Sequence, residues 1–171
     1  SAYMKGIRGF DIEKAYEGML KNALPGGIMS KVGYEHNTNK GGGIEYYIDR
    51  GYVPFPLYDK QYGYHQCGPG VTIEYAYQDW TLAQMAKALN KMSDHKMLQK
   101  RASNYRNIYD SSSGWMRART LDGNWIEPFD PLVYENDYKD PLGSGFVEAT
   151  AAAATWFVPH DLAGLADLMG G

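Results

Sequence analysis

The carboxylates Glu74, Asp79, Glu127, Asp130 and Glu148 stand where acid–base or hydroxyl-binding chemistry could use them. Glu148 follows Gly143-Ser144-Gly145-Phe146-Val147 and precedes Ala149-Thr150-Ala151-Ala152-Ala153-Ala154. A Gly/Ser loop thus delivers one acid to the entrance of a small-residue helix. Such a carboxyl either gives a proton to a bound group or is a solvated, capping side chain. Glu127 and Asp130 lie in a Pro-rich loop with Trp125 and Phe129. Carboxylates beside exposed aromatics suit a sugar, whose C–H faces stack on rings while its hydroxyls donate to oxygen. The same residues serve equally well to brace the loop. Glu74 reads as a first-turn acid at a helix N-terminus, or as an acceptor for a sugar hydroxyl. Asp79, deeper in the same helix, pairs with an arginine or caps a backbone group. His160 follows Pro159 and precedes a helix cap, where a structural role outweighs ligand contact. His36, His65 and His95 are scattered without zinc spacing, and Cys67 reads as a loop thiol.

Composition narrows the partners. With 171 residues, 44% of them hydrophobic, the chain supports one domain with a sizeable core. Its net charge of −3 comes with no run of Lys or Arg. Nucleic acid and anionic membrane surfaces are therefore poor partners. No apolar stretch approaches the ~20 residues that span a bilayer. The first residues hold no apolar signal-peptide core, but the chain does not begin with Met, so localisation stays open. One cysteine excludes an internal disulfide. Fifteen Tyr and four Trp against five Phe favour flat faces with polar tips. Those tips suit a sugar, and they also suit packing at helix ends and loop bases.

The elements that must hold these residues are mainly helical. Asp11 caps a helix over about 12–23, stopped by Pro25-Gly26-Gly27. A polar loop covers 33–43. Ile44 to Arg50 forms a short helix closed by Gly51 and Pro54. A long Tyr-, Pro- and Gly-rich loop, 51–70, leads to a helix from Thr72 to Asn90 that is apolar on more than one side. Ser93 caps the next helix, which runs to about Tyr109 with Arg101, Lys96 and Lys100 toward solvent. Residues 115–128 read as a hairpin turning at Asp122-Gly123. The Glu148 helix then runs until Pro159 stops it, its alanines pressed against neighbours. Asp161 caps a last helix, 162–169. Long loops precede the Thr72 and Glu148 helices, and short joins follow them. Both N-termini therefore face one end of the layer, together with the aromatic loops.

Several blocks in order resemble glycoside hydrolase family 92. They are Gly42-Gly43-Ile44-Glu45-Tyr46-Tyr47 with Gly51-Tyr52-Val53-Pro54, Thr72-Ile73-Glu74-Tyr75-Ala76-Tyr77-Gln78-Asp79-Trp80, Asn104-Tyr105-Arg106-Asn107 and Gly114-Trp115-Met116-Arg117. Trp125-Ile126-Glu127-Pro128-Phe129-Asp130-Pro131 and Phe146-Val147-Glu148 through Trp156-Phe157-Val158-Pro159-His160-Asp161 complete the set. The resemblance implies an exo-acting, calcium-dependent, inverting α-mannosidase. Its fold would be mainly α, with helical hairpins forming part of an (α/α)6 barrel and a small β-hairpin in a long loop. Residues 1–171 would then be a single partial domain, roughly half of the barrel. Within the resemblance Glu148 is the general acid, while the base and the front β-sandwich have no counterpart here. Ala151 to Ala154 depart from the family, which carries Gln and a larger residue there.

On this reading Glu74, Trp125, Glu127, Asp130 and His160 contact a mannose-containing oligosaccharide. Calcium is expected of the full-length protein, with no ligand assignable in this stretch. The family implies an exported protein, and the stretch alone is expected to be inactive. The rival class is a non-catalytic helical module that binds carbohydrate or another protein. Self-association through exposed helix faces is a third expectation.

Overall fold

The computed structural model describes residues 2–28, 42–56, 67–134 and 145–171. The 33–43 loop lies almost wholly outside them, as does most of the stretch before the third helix. Helix α1 spans Ile12–Asn22, and Asp11 accepts from the Lys14 amide at 3.0 Å, the capping bond expected of its side chain. Helix α2, Ile44–Arg50, runs between two left-handed glycines, Gly43 and Gly51. A Cβ on Gly51 would strike the Asn107 side-chain amide, so glycine is needed there for space as well as for φ.

Helix α3 spans Gly68–Ala88, beginning four residues before the expected Thr72. Pro69 explains the difference: in a first turn its missing N–H costs nothing, so Gly68-Pro69-Gly70 opens the helix. Glu74 is consequently not a first-turn acid. It sits well inside α3 with its side chain exposed. Thr72 ties α3 to the preceding loop, donating to the Gly68 carbonyl at 2.7 Å and accepting from the Val53 amide at 2.9 Å. The helix is buried on several sides, by Ile73, Tyr75, Ala76, Leu82, Ala83 and Ala86 among others.

Helix α4, Met92–Arg101, starts at Lys91 rather than at a Ser93 cap, because left-handed Asn90 turns the chain back at once. It stops at Arg101, and Asn104–Ile108 continues as a 3-10 turn instead of α-helix. Arg101 does not face solvent. It is 7% exposed and grips Asp79 of α3 with two bonds, Nε to Oδ2 and Nη2 to Oδ1, both 2.7 Å. The Tyr47 hydroxyl of α2 lies 3.0 Å from Asp79 Oδ2 and 2.8 Å from the Arg101 carbonyl, sharing its proton between them. Asp79 thus takes the arginine alternative of its two expected roles. Burial pushes its carboxyl up to about 6, against the pull of Arg101 and Tyr47.

Strands β1, Tyr109–Asp110, and β2, Trp115–Met116, pair antiparallel with Tyr109 opposite Met116. The expected hairpin follows. Arg119 bridges Trp125, the Ile126 amide donates to the Ala118 carbonyl at 3.1 Å, and left-handed Gly123 makes the turn. Helix α5, Ala151–Ala154, is a single turn capped by Thr150. It ends four residues short of Pro159, because Thr155 closes it: its buried hydroxyl donates to the Ala151 carbonyl at 2.7 Å and accepts from the Met116 amide at 2.9 Å. Ala151 is fully buried, whereas Ala153 faces solvent, so the alanine run is not packed all round. Helix α6, Leu162–Leu168, is capped by Asp161, which accepts from the Gly164 amide at 3.0 Å and from the Tyr105 hydroxyl at 2.6 Å.

Replacing Asp79 by Asn, or Arg101 by Met, leaves one buried charge unpaired. Urea unfolding is expected to show a loss of about 3–5 kcal/mol for either change. The double Asp79→Asn/Arg101→Met variant is expected to lose less than either.

Candidate active site

Glu148 occupies an uncommon backbone state. Its φ is +53°, in the left-handed region, although it is neither glycine nor asparagine. There the Cβ crowds the following carbonyl, at a cost of about 1 kcal/mol or more. Phe146 anchors the segment from below, 1% exposed in the core shared with Ala151 and Val158. Left-handed Gly145 packs against Pro69, where a Cβ would clash with the ring. The chain therefore leaves a buried aromatic, turns sharply and presents Glu148 outward. Among the described residues no hydrogen bond or ion pair holds the Glu148 carboxylate.

The Gly70 amide points at the Gly145 carbonyl at 3.5 Å, so the opening of α3 lies beside the Glu148 segment. The two helix N-termini share one end, as the loop lengths imply. The second candidate loop also meets this end. The Ala152 amide donates to the Pro131 carbonyl at 3.0 Å, and Phe129 packs on the core cluster that holds Phe146. Trp125 is half-buried, with the Arg119 guanidinium 4.9 Å over its ring. Glu127 is exposed and ion-paired to Arg117. Asp130 is exposed and accepts from the Leu132 amide at 2.9 Å, which shapes its own turn. The 129–131 end of the loop thus meets α5 and the core beneath Phe146.

His160 is held at the end of α4. Its Nε2 lies 2.9 Å from the Ala102 carbonyl. A carbonyl only accepts, so Nε2 carries the proton of this bond. The ring packs among Tyr77, Trp80 and Tyr105, at centroid distances of 5.9, 6.3 and 5.6 Å. Its Nδ1 is buried without a partner among the described residues. Glu74, exposed on α3, makes no hydrogen bond or ion pair to the Glu148 segment among the described residues.

Sequence reasoning passed over Asp110, Arg117 and Arg119. The available signal was two arginines, two residues apart, on the strand that feeds the candidate loop; side chains at that spacing share one face. Arg117 donates to Asp110 at 2.9 Å, with both side chains buried. Burial alone would raise the Asp110 carboxyl, but hydrogen bonds from Ser112, Arg117 and Ser113 outweigh it and bring it down to about 2.

Residues 1–171 match the family described as the Glycosyl hydrolase family 92 catalytic domain. A solved inverting mannosidase of that family from Bacteroides thetaiotaomicron VPI-5482 is 34% identical, covering 99% of this chain and 20% of its own, with a TM-score of 0.79. A family α-mannosidase from Bacteroides thetaiotaomicron, solved in complex with mannoimidazole, is 32% identical over 99% of this chain and 20% of its own, with a TM-score of 0.80. An uncharacterized secreted glycosidase of Arthroderma benhamiae is 26% identical over 197 residues, 99% of this chain and 23% of that protein. The chain spans about a fifth of the length of these relatives. Its fold class is theirs: helical hairpins of an (α/α)6-type domain carrying a small β-hairpin.

Two outcomes follow from the site's geometry. Glu148→Gly relieves the left-handed strain and is expected to raise stability by roughly 0.5–1 kcal/mol in urea melts, while Glu148→Gln leaves it unchanged. Equal stability of the Gly and Gln variants would refute the strain. A depressed folded-state carboxyl adds stability above its unfolded value and loses it as pH falls. The Asp110 contribution is therefore expected to be full above about pH 4 and to fade toward pH 2, and Asp110→Asn should flatten that part of the stability–pH curve.

Proposed function

We propose, on the premise that this chain belongs to glycosyl hydrolase family 92, that it forms part of a catalytic barrel removing terminal α-linked mannose with inversion. Residues 1–171 are then a single partial domain, roughly half of the six-hairpin ring. Glu148 is the general acid. The observation that carries this role is its free, outward carboxylate, held in a strained backbone just before the cap of α5. Strain of this kind persists only where the surroundings over-determine it, and such positions cluster at working sites.

In the reaction Glu148 gives its proton to the glycosidic oxygen as the bond to the anomeric carbon breaks. A carboxylate from outside these residues takes a proton from water, which adds to the opposite face. The two carboxyls stand about 6.5–9.5 Å apart to admit that water. Because α5 is a single turn, its dipole pulls only weakly toward an anion at its entrance. Trp125 supplies a ring for the sugar's C–H face. Glu127 and Asp130 accept from its hydroxyls, Glu74 lines the approach, and His160 supports the pocket wall. Among the described residues no group of three or more His, Cys, Asp or Glu side chains gathers to hold a metal. Calcium belongs to the full-length protein in this proposal, and the roles of Glu148, Trp125 and the loop carboxylates do not pass through that ion. Export from the cell belongs to the same proposal, supported by the secreted relative.

The test uses the whole protein that carries this chain. Glu148→Gln is expected to lower kcat/KM for a sugar leaving group by about 10²–10⁴. For a dinitrophenyl mannoside, which departs without protonation, the loss should be much smaller. Equal losses on both substrates would overturn the acid role. NMR should show β-mannose as the first product. Sugar binding that survives Glu148→Gln, with no turnover by the wild type, would point instead to a non-catalytic module.

A further inference from the structure

The loop that carries Trp125, Glu127 and Asp130 has little regular structure of its own. What fixes it is a pair of side chains beneath it. Arg117 is buried at the end of the run that begins in β2, and its guanidinium is engaged on every side. Nη1 donates to Asp110 Oδ2 at 2.9 Å, and Nε and Nη2 both donate to the Ile126 carbonyl. Nη2 also pairs with Glu127 Oε1, and the plane of the group lies 4.6 Å from the centre of the Phe129 ring. Two residues on, Arg119 repeats the arrangement. It donates to the Gly123 carbonyl at 3.1 and 2.8 Å and to the Asn107 carbonyl at 2.9 Å, between the rings of Tyr52 and Trp125.

The charges are unequal. Arg117 carries one positive charge against two carboxylates. Asp110 is buried and fully hydrogen-bonded, by Arg117 and Ser112. The surplus negative charge therefore rests on Glu127, whose side chain is 72% exposed. One Glu127 oxygen is tethered to Arg117, and the carboxylate as a whole remains open to a ligand. A tethered, pre-aimed acceptor binds a hydroxyl with less ordering cost than a free side chain. Only a planar fork can hold a carboxylate, a second carboxylate, a carbonyl and a ring face at once; a lysine ammonium cannot.

We propose that Arg117 is a positioning residue for the sugar site, acting through Glu127: it sets the direction in which that carboxylate meets a substrate hydroxyl. The proposal rests on the mannosidase reading of the chain and adds to it a specific source of ground-state affinity. An interaction of this kind governs binding more than bond cleavage, so its loss raises KM rather than lowering kcat. It also vanishes once Glu127 no longer carries the charge, which a purely structural brace would not.

The experiment is a double-mutant cycle in the whole protein, with kcat and KM measured on an α-mannoside for wild type, Arg117→Lys, Glu127→Gln and the pair. Each single change is expected to raise KM on the order of tenfold with kcat within about threefold. The pair is expected to match Glu127→Gln within about twofold, because the two residues act as one unit. Should Arg117→Lys fail to fold, Arg117→Gln with Asp110→Asn removes both buried charges and takes its place in the same cycle. An active wild type whose single losses multiply in the pair, or whose KM is unmoved by Glu127→Gln, overturns the positioning role alone. A wild type with no turnover of any α-mannoside overturns the mannosidase reading and this role with it.

Discussion

The buried pair between Asp79 and Arg101 is the constraint around which the helical layer is arranged. Taking both charges out of water costs several kcal/mol each, and only close geometry with further hydrogen bonds returns that cost. Here two parallel bonds of 2.7 Å and the Tyr47 hydroxyl offset part of it, while Arg101 Nη1 is buried without a hydrogen-bond partner among the described residues. The three residues come from α3, α4 and α2, so one electrostatic unit fixes how three helices register. A shift of α3 along its axis by one residue would break both arginine bonds. The position of the α3 N-terminus, and so the seat of Gly145 against Pro69, follows from that register.

From that fixed end the candidate site is built by side chains that bond to backbone. Thr72 holds the 53–56 segment to α3, Thr155 holds β2 to α5, and Arg119 holds the 123–125 turn to the 3-10 turn through Gly123 and Asn107. Each replaces a missing ladder or helix bond with one directed contact. The site end is therefore loop in its backbone and rigid in its connections. This is what a pocket needs when the groups that meet the substrate cannot sit on long elements.

Much of this was legible in the chain because it follows from local rules. Asp11 and Asp161 cap the helices expected of them, and Gly51 closes α2, because those signals act within a turn of the residue that sends them. The early starts of α3 and α4 trace to Pro69 and Asn90 close by, whereas the other failures involve partners distant in sequence. Arg101 turns inward because Asp79 is there to receive it, although Lys96 and Lys100 on the same helix do face water. The alanine run stops at Thr155 because the Met116 amide, 39 residues earlier, draws that hydroxyl into the core. Arg117 and Arg119 look like ordinary strand arginines until Glu127 and Trp125 fold over them. Of the candidate site, the pattern of residue types offered Glu148 and the loop carboxylates as candidates, with the acid role implied by the family resemblance, while the braces beneath the loop could not be read.

The contrast between Glu148 and its neighbours shows how the strain comes to fall on the residue proposed as the acid. Five alanines with high helix propensity follow it, and a helix continued backward through Ala149 and Glu148 would be the cheaper local solution. That helix would draw Glu148 back along α5 and give it the i+4 company of Ala152 instead of open solvent. Thr150 prevents this by capping α5 at the last moment, and Phe146, sunk in the core, pins the other side. Between a cap and an anchor only four residues apart, the chain must reverse within Val147 and Glu148, and the left-handed turn falls on the acid. Local preference is given up at Glu148, which keeps an exposed and unpaired carboxylate, and the surrounding rules are kept.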